Sequence, residues 1–244
     1  MAAAVAGLAL LLGSGGAKAA EITLLCSNAL KSVLEELGPQ FEKASGHMLK
    51  IEYGSTGPLK AKIEKGQTFD VAIIGVEATD DLLKQGKLAA GSRTDIARSG
   101  MGVGVRMGAA KPDLGSTQAF KQALLKAQTI AYSDGGLSGT YLKGLFERLG
   151  IADELKSKVR HGRGGEMVNQ GKAEIGLTQI SELISEPGVE LAGPLPPEIQ
   201  QYTVFPGGIA AAAPQAEAGK ALLKFLKSPD AAKVLKAKGL EPAA

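Results

Sequence analysis

The segment Arg160-His161-Gly162-Arg163-Gly164-Gly165 sets two guanidinium groups on either side of a histidine in a glycine-rich stretch. Guanidinium groups bind carboxylates through paired donors. Cations beside an imidazole favour its neutral form, which can accept a proton. The pattern therefore suits capture of an anion and, with a proton acceptor alongside, proton transfer on it. Taken singly, Arg160 or Arg163 is accounted for equally well as part of a solvated basic loop next to Lys156 and Lys158.

Three other short segments carry donors without charge. They are Ser27-Asn28-Ala29 after the apolar run "EITLLC", Gly54-Ser55-Thr56-Gly57 ahead of Pro58, and the bare turn leading to Ser138, Gly139 and Thr140. Each ends a strand-like run and opens a helix-like pattern, so unpaired backbone N–H groups and the positive end of the helix dipole accompany the hydroxyls. Ser138 reads as the N-cap of a helix whose apolar face is Tyr141, Leu142, Leu145, Phe146 and Leu149, with the amides of Gly139 and Thr140 free beside it. Pro58 fits the first helical position. A glycine-rich turn capped by its own serine explains any one of these alone; three at equivalent strand ends point to a shared anion cleft. Gln179, ending the run "AEIGLTQ", would enter from an adjacent strand end, although a simple helix-capping role also accounts for it.

Other chemistries find little support. His47 and His161 are the only histidines and have no metal-ligand spacing, so no metal site is expected. The chain lacks a G-x-S-x-G nucleophile elbow and a P-loop, and "GVGVRMG" sits in an extended run rather than at a strand-to-helix turn. With 28 Lys and Arg against 25 Asp and Glu, six Phe, four Tyr and no Trp, neither a basic footprint nor stacking platforms for nucleic acid are present.

The elements that must position these groups alternate. Strand-like runs "EITLLC", "MLKIEYG" and "FDVAIIG" are separated by helical patterns, an order that predicts an α/β fold with mostly parallel sheets flanked by helices. Pro39 is expected to break or kink the first helix. A glycine-laced strand over 97–108 interrupts the pattern, which then restarts with a second α/β unit. A Pro- and Gly-rich extended stretch and two closing helices follow. Two extended stretches flanking the second unit suit one lobe inserted into another and joined by two crossing strands: lobe one from 21–100 and 200–244, lobe two from 101–199. In such units ligands lie beyond the carboxyl ends of the strands.

Residues 1–20, with an apolar run and the Ala17-Lys18-Ala19 pattern, read as an export signal, placing the mature protein in the periplasm. Cys26 is the single cysteine, so no internal disulfide can form, and its place at the end of an apolar run predicts a buried, inert thiol.

The segments "EITLLCSNALKSVLEELGPQFEKASG", "GSTGPLKAKIEKGQTFDVAI", "SGTYLKGLFERLGI", "AEIGLTQISEL" and the tail ending "KGLEP" together resemble the molybdate-binding, ModA-like branch of ABC-transporter periplasmic binding proteins. The resemblance covers essentially the whole mature chain. It implies a type II periplasmic binding protein fold and a small anion held between helix N-termini with no cofactor. A monomer that docks on an ABC permease is also expected. It places the family's second-turn serine at Thr56, its first-turn serine at Ala29, its third-turn backbone donor at Ser138 and its late-strand tyrosine at Gln179. Two contacts of the molybdate cage are thus altered, and the segment from Arg160 to Gly165 adds charge, which favours an organic di- or tricarboxylate over molybdate or tungstate. A further resemblance is to the aconitate-isomerase-like branch, whose members interconvert trans- and cis-aconitate by a cofactor-free allylic proton shift. On that resemblance Arg160 and Arg163 would clamp carboxylates, and His161, Glu166 or Tyr141 would carry the proton.

Overall fold

The computed structural model describes residues 19–243, so the expected signal at 1–20 lies, except for its last two residues, outside the described residues. The elements run in the order β1 (Glu21–Ser27), a 3₁₀ turn (Asn28–Leu30), α1 (Lys31–Ser45), β2 (Met48–Gly54), α2 (Thr56–Glu64), β3 (Val71–Ile73), α3 (Val76–Lys84) and β4 (Thr94–Arg106). There follow α4 (Thr117–Lys126), β5 (Ile130–Tyr132), α5 (Leu137–Arg148), α6 (Ala152–Leu155), β6 (Val159–His161), α7 (Gly164–Asn169), β7 (Ile175–Gln179) and α8 (Ile180–Ile184). The chain closes with β8 (Val189–Pro194), a second 3₁₀ turn (Pro197–Ile199), β9 (Tyr202–Ile209), α9 (Ala216–Leu226), α10 (Pro229–Ala237) and β10 (Glu241–Pro242).

The strands form the order β2-β1-β3-β9-β4-β7-β5-β6, with β8 and β10 also on β4. The outer pairs are parallel: β1 with β2 and β3, and β5 with β6 and β7. The strands that return between the halves, β4 and β9, add antiparallel pairs at the centre, so the whole is a mixed α/β sheet in two lobes. One strand, β4, belongs to both halves: Gly100 pairs with Tyr202 of β9, and the next residue, Met101, pairs with Gln179 of β7. The second extended segment is fastened at the same place. The Gln200 amide accepts from Met101 N at 2.8 Å and donates to Met101 O at 2.9 Å.

Alternation along β1 shows why helices cover both faces. Ile22, Leu24 and Cys26 enter a core with Val33, Leu37, Phe41 and the closing-helix residues Leu222 and Leu235, whereas Leu25 enters a second core with Leu59, Ile63 and Leu82. Burial on both sides of Pro39 also holds α1 together: with Leu34, Leu37 and Phe41 all buried, the helix continues unbroken to Ser45, and the expected break does not occur. The second lobe packs Phe120, Leu124, Leu142 and Phe146 against Met101, Val103 and Leu177. The glycines of β4 have a packing role: a methyl added at Gly104 would lie 2.5 Å from Leu183 Cδ2, so the bare backbone lets α8 sit directly on the strand. No helix among the described residues is long and apolar enough to cross a membrane.

Candidate functional site

The strand ends of the two halves meet around one small cavity of about 40 Å³. From the first half come Ser27, Asn28, Ser55 and Thr56; from the second, Ser133, Gly136, Leu137, Ser138, Arg163, Thr178, Gln179 and Glu182, with Phe205 of β9 at the crossing.

Each donor has a local reason for its place. Ser27 accepts from Ala29 N at 3.4 Å, which starts the 3₁₀ turn; the Ala29 methyl is buried in the first core, leaving Ser27 and Asn28 as the polar groups of this turn. Helix α2 begins at Thr56 with Ser55 as N-cap, so Pro58 is its third residue and not its first. Thr56 Oγ1 accepts from Gly75 N at 3.1 Å, which leaves the hydroxyl proton for another acceptor.

Helix α5 starts two residues earlier than expected. Gly136 is its N-cap, and Ser138 lies inside the first turn, where its hydroxyl accepts from Gln179 Nε2 at 3.2 Å. Thr140 is spent within the helix, since its N–H and its hydroxyl both donate to Gly136 O, at 3.1 and 3.3 Å. Gly139 has a steric role: a Cβ there would fall 1.7 Å from Ser133 O, so only glycine lets this turn lie against the end of β5.

Gln179 is 3% exposed. Its amide nitrogen also donates to Thr203 Oγ1 at 3.1 Å, while Oε1 is buried with no partner among the described residues. A buried acceptor without a donor costs roughly 1–3 kcal/mol, and a donor brought by a ligand would relieve it.

The basic segment divides. Arg163, the N-cap residue of α7, lines the cavity. Arg160 folds back on its own chain, donating to the carbonyls of Ser157 and Val159, both at 3.0 Å. His161 is half-exposed, its ring edge-on to Tyr132 at 5.4 Å and its Nδ1 3.9 Å from Asp134 Oδ1, an aspartate that Lys143 already pairs. Glu166 accepts from Gln170 Nε2 at 2.9 Å, and the Tyr141 hydroxyl donates to Ile199 O. None of Arg160, His161, Glu166 and Tyr141 lines the cavity. The physical cause is that β6 is the outermost strand of the order, so Arg160 and His161 leave the sheet towards solvent, and the chain reaches the cavity only two residues later.

One residue of the cavity wall, Glu182, carries no motif that marks it in the sequence. It lies in the first turn of α8, three residues beyond Gln179, and its Oε2 accepts from Thr178 Oγ1 at 3.1 Å. Burial pushes its carboxyl above the usual range, opposed by the charge of Arg163 and the Thr178 hydrogen bond. Among the described residues, Glu182 and Arg163 are the only ionisable side chains lining the cavity. The faint signal is a carboxylate three residues beyond the buried run that ends at Gln179.

The two halves touch at the cavity rim. A methyl built on Gly75, ahead of α3, would lie 2.4 Å from Leu137 Cδ1 at the head of α5, so the two turns are already in contact.

Fold and cleft together define a solute-binding protein. The chain belongs to the bacterial extracellular solute-binding protein family, whose model matches residues 22–241. It is 36% identical over 247 residues to an aconitate isomerase of Pseudomonas sp, covering 96% of this chain and 94% of that one. It is 28% identical over 250 residues to the molybdate-binding protein ModA of Azotobacter vinelandii, covering 95% and 96%. Among solved structures, the Azotobacter vinelandii periplasmic molybdate-binding protein superposes with a TM-score of 0.77 at 23% identity, over 91% of this chain and all of that one. The sulfate-binding protein SubI of Mycobacterium tuberculosis H37Rv gives 0.72 at 16% identity, over 92% and 87%. The fold is that of the type II, ModA-like periplasmic binding proteins.

Proposed function

We propose that the cleft captures a small organic di- or tricarboxylate by closure of two lobes, 21–100 with 200–244 and 101–199. The observation that carries this reading is that Arg163, whose guanidinium lies 3.7 Å from Glu166 Oε2, and Glu182 share a cavity wall whose other described polar groups are neutral. A fixed tetrahedral dianion in a closed cavity would be repelled by an ionised Glu182. A carboxylic acid, by contrast, offers one group to Arg163 and can share a proton with Glu182. Ser27, Asn28, Thr56, Ser138 and Gln179 would supply the neutral contacts. A ligand of this size enters by parting the Gly75–Leu137 contact, and reclosure removes it from water. On this reading the mature protein works as a monomer in the periplasm and presents the closed form to an ABC permease.

A second reading, conversion of trans- to cis-aconitate within the same cleft, is favoured by the 36% identity to an aconitate isomerase along nearly the full length and by a carboxyl inside the cavity. Proton NMR of the mature protein with trans-aconitate tests both. Line broadening without product supports capture alone, and cis-aconitate beyond one equivalent supports the isomerase. If neither appears and molybdate raises the melting temperature instead, the carboxylate reading falls.

A further inference from the structure

We propose that Glu182 is the catalytic residue that removes and returns the proton in the cleft, an assignment that rests on the isomerase reading above. Three observations place it there. Among the described residues Glu182 is the only carboxyl lining the cavity; of the groups expected from the sequence to carry the proton, His161 and Tyr141 have other partners, and Glu166 sits behind the wall, bonded to Gln170 and 3.7 Å from Arg163. Its carboxyl is held: Oε2 takes the Thr178 hydroxyl, while Oε1 has no hydrogen bond among the described residues and is left to act. Its backbone is held as well. Ser181 is buried, with its hydroxyl 3.5 Å from Ser99 Oγ, and Leu183 is fully buried on the other side.

The charge environment suits a base. Burial makes the carboxylate a stronger proton acceptor than an exposed glutamate, and the charge of Arg163 opposes that shift. The remaining cavity wall is neutral: Ser27, Asn28, Ser55 and Thr56 face it from the first lobe, and Ser133 and Ser138 from the second.

One carboxyl suffices for the reaction. Glu182 takes a proton from the methylene carbon of trans-aconitate, and the C–H electron pair becomes the new carbon–carbon double bond. The electron pair of the old double bond forms a C–H bond at the former vinylic carbon as Glu182 hands a proton back. Nothing is oxidised or reduced and no group leaves. Arg163 would hold a carboxylate of the substrate while charge spreads over the three carbons.

The test follows trans-aconitate with the purified mature protein in D₂O by proton NMR, using wild type, Glu182→Gln, Glu182→Asp and His161→Ala, each first checked for a cooperative thermal transition. We expect wild type to form cis-aconitate with part of the protium carried across within one molecule. Glu182→Gln should broaden the trans-aconitate lines yet turn over at least about 100-fold more slowly. Glu182→Asp should slow the reaction about tenfold by withdrawing the carboxyl one methylene, and His161→Ala should stay within about twofold of wild type. Turnover by Glu182→Gln within a few-fold of wild type overturns the assignment and leaves the isomerase reading standing. Should Glu182→Gln not fold, an unchanged rate in Glu182→Asp overturns it equally. Wild type that broadens the lines and makes no product overturns the isomerase reading and the assignment with it.

Discussion

Gln179 Nε2 lies 3.2 Å from Ser138 Oγ and 3.1 Å from Thr203 Oγ1, so one buried amide joins the end of β7 to the first turn of α5 and to the crossing strand β9. The position at which the family resemblance sets a tyrosine is therefore a three-way junction at the cavity wall. Replacing the amide with leucine leaves two hydroxyls without their donor. Gln179→Leu should cost about 1–3 kcal/mol, a drop of roughly 2–10 °C in melting temperature, and should weaken any cleft ligand as well. Calorimetric melts with and without trans-aconitate check both effects.

Glu182 gives a pH signature independent of catalysis. Its carboxyl holds its proton more tightly in the folded protein than in the unfolded chain. The stability this contributes is present below the ordinary carboxyl range and is lost as pH rises through the raised value. Glu182→Gln removes that loss. The variant should melt close to wild type at acid pH, below the ordinary carboxyl range, and increasingly above it as pH rises through the raised value. A gap that shrinks as pH rises would contradict the burial of this carboxyl.

Gly139→Ala should be among the most damaging single-methyl changes in the chain. The added carbon would fall 1.7 Å from Ser133 O, and a backbone carbonyl at the end of a buried strand has little freedom to withdraw. A loss of about 3 kcal/mol or more is expected, read as a fall in denaturant midpoint. Gly135→Ala, where no atom lies within 4 Å of the added carbon, is the matched control and should change little.

Thr56→Val keeps the shape of the α2 entrance and removes the oxygen that accepts from Gly75 N. The buried amide would then be unpaired at a cost of about 1–3 kcal/mol. Ligand affinity should fall further than stability alone accounts for, because the hydroxyl proton that Thr56 could offer is lost too. Titration calorimetry against Thr56→Ser, which keeps both functions, separates the two effects.

The two-lobe α/β fold could be read from the sequence because its signals are local: apolar runs alternating with amphipathic helices, then two extended stretches around the second set. Thr56 and Ser27 were legible for the same reason, as hydroxyls at strand ends before helices. Boundaries were less so, since Gly136 and Ser138 are both good N-cap residues and only the backbone trace chooses between them. The conspicuous segment Arg160 to Gly165 misled, because spacing does not reveal that β6 is an outermost strand and that only Arg163 reaches inward. Glu182 escaped notice for the opposite reason. A glutamate opening a short helix looks like a solvated surface group until α8 is seen packed flat on the glycines of β4.

The single thiol of the chain has an experimental use. Cys26 is fully buried on β1, between the first core and the turn that carries Ser27, and burial holds it in the unreactive protonated form. An alkylating reagent can therefore react only when the first lobe opens around β1, with no other sulfhydryl to confuse the reading. The rate of alkylation counts those openings, and a cleft ligand that engages Ser27 and Asn28 should slow it in proportion to its occupancy.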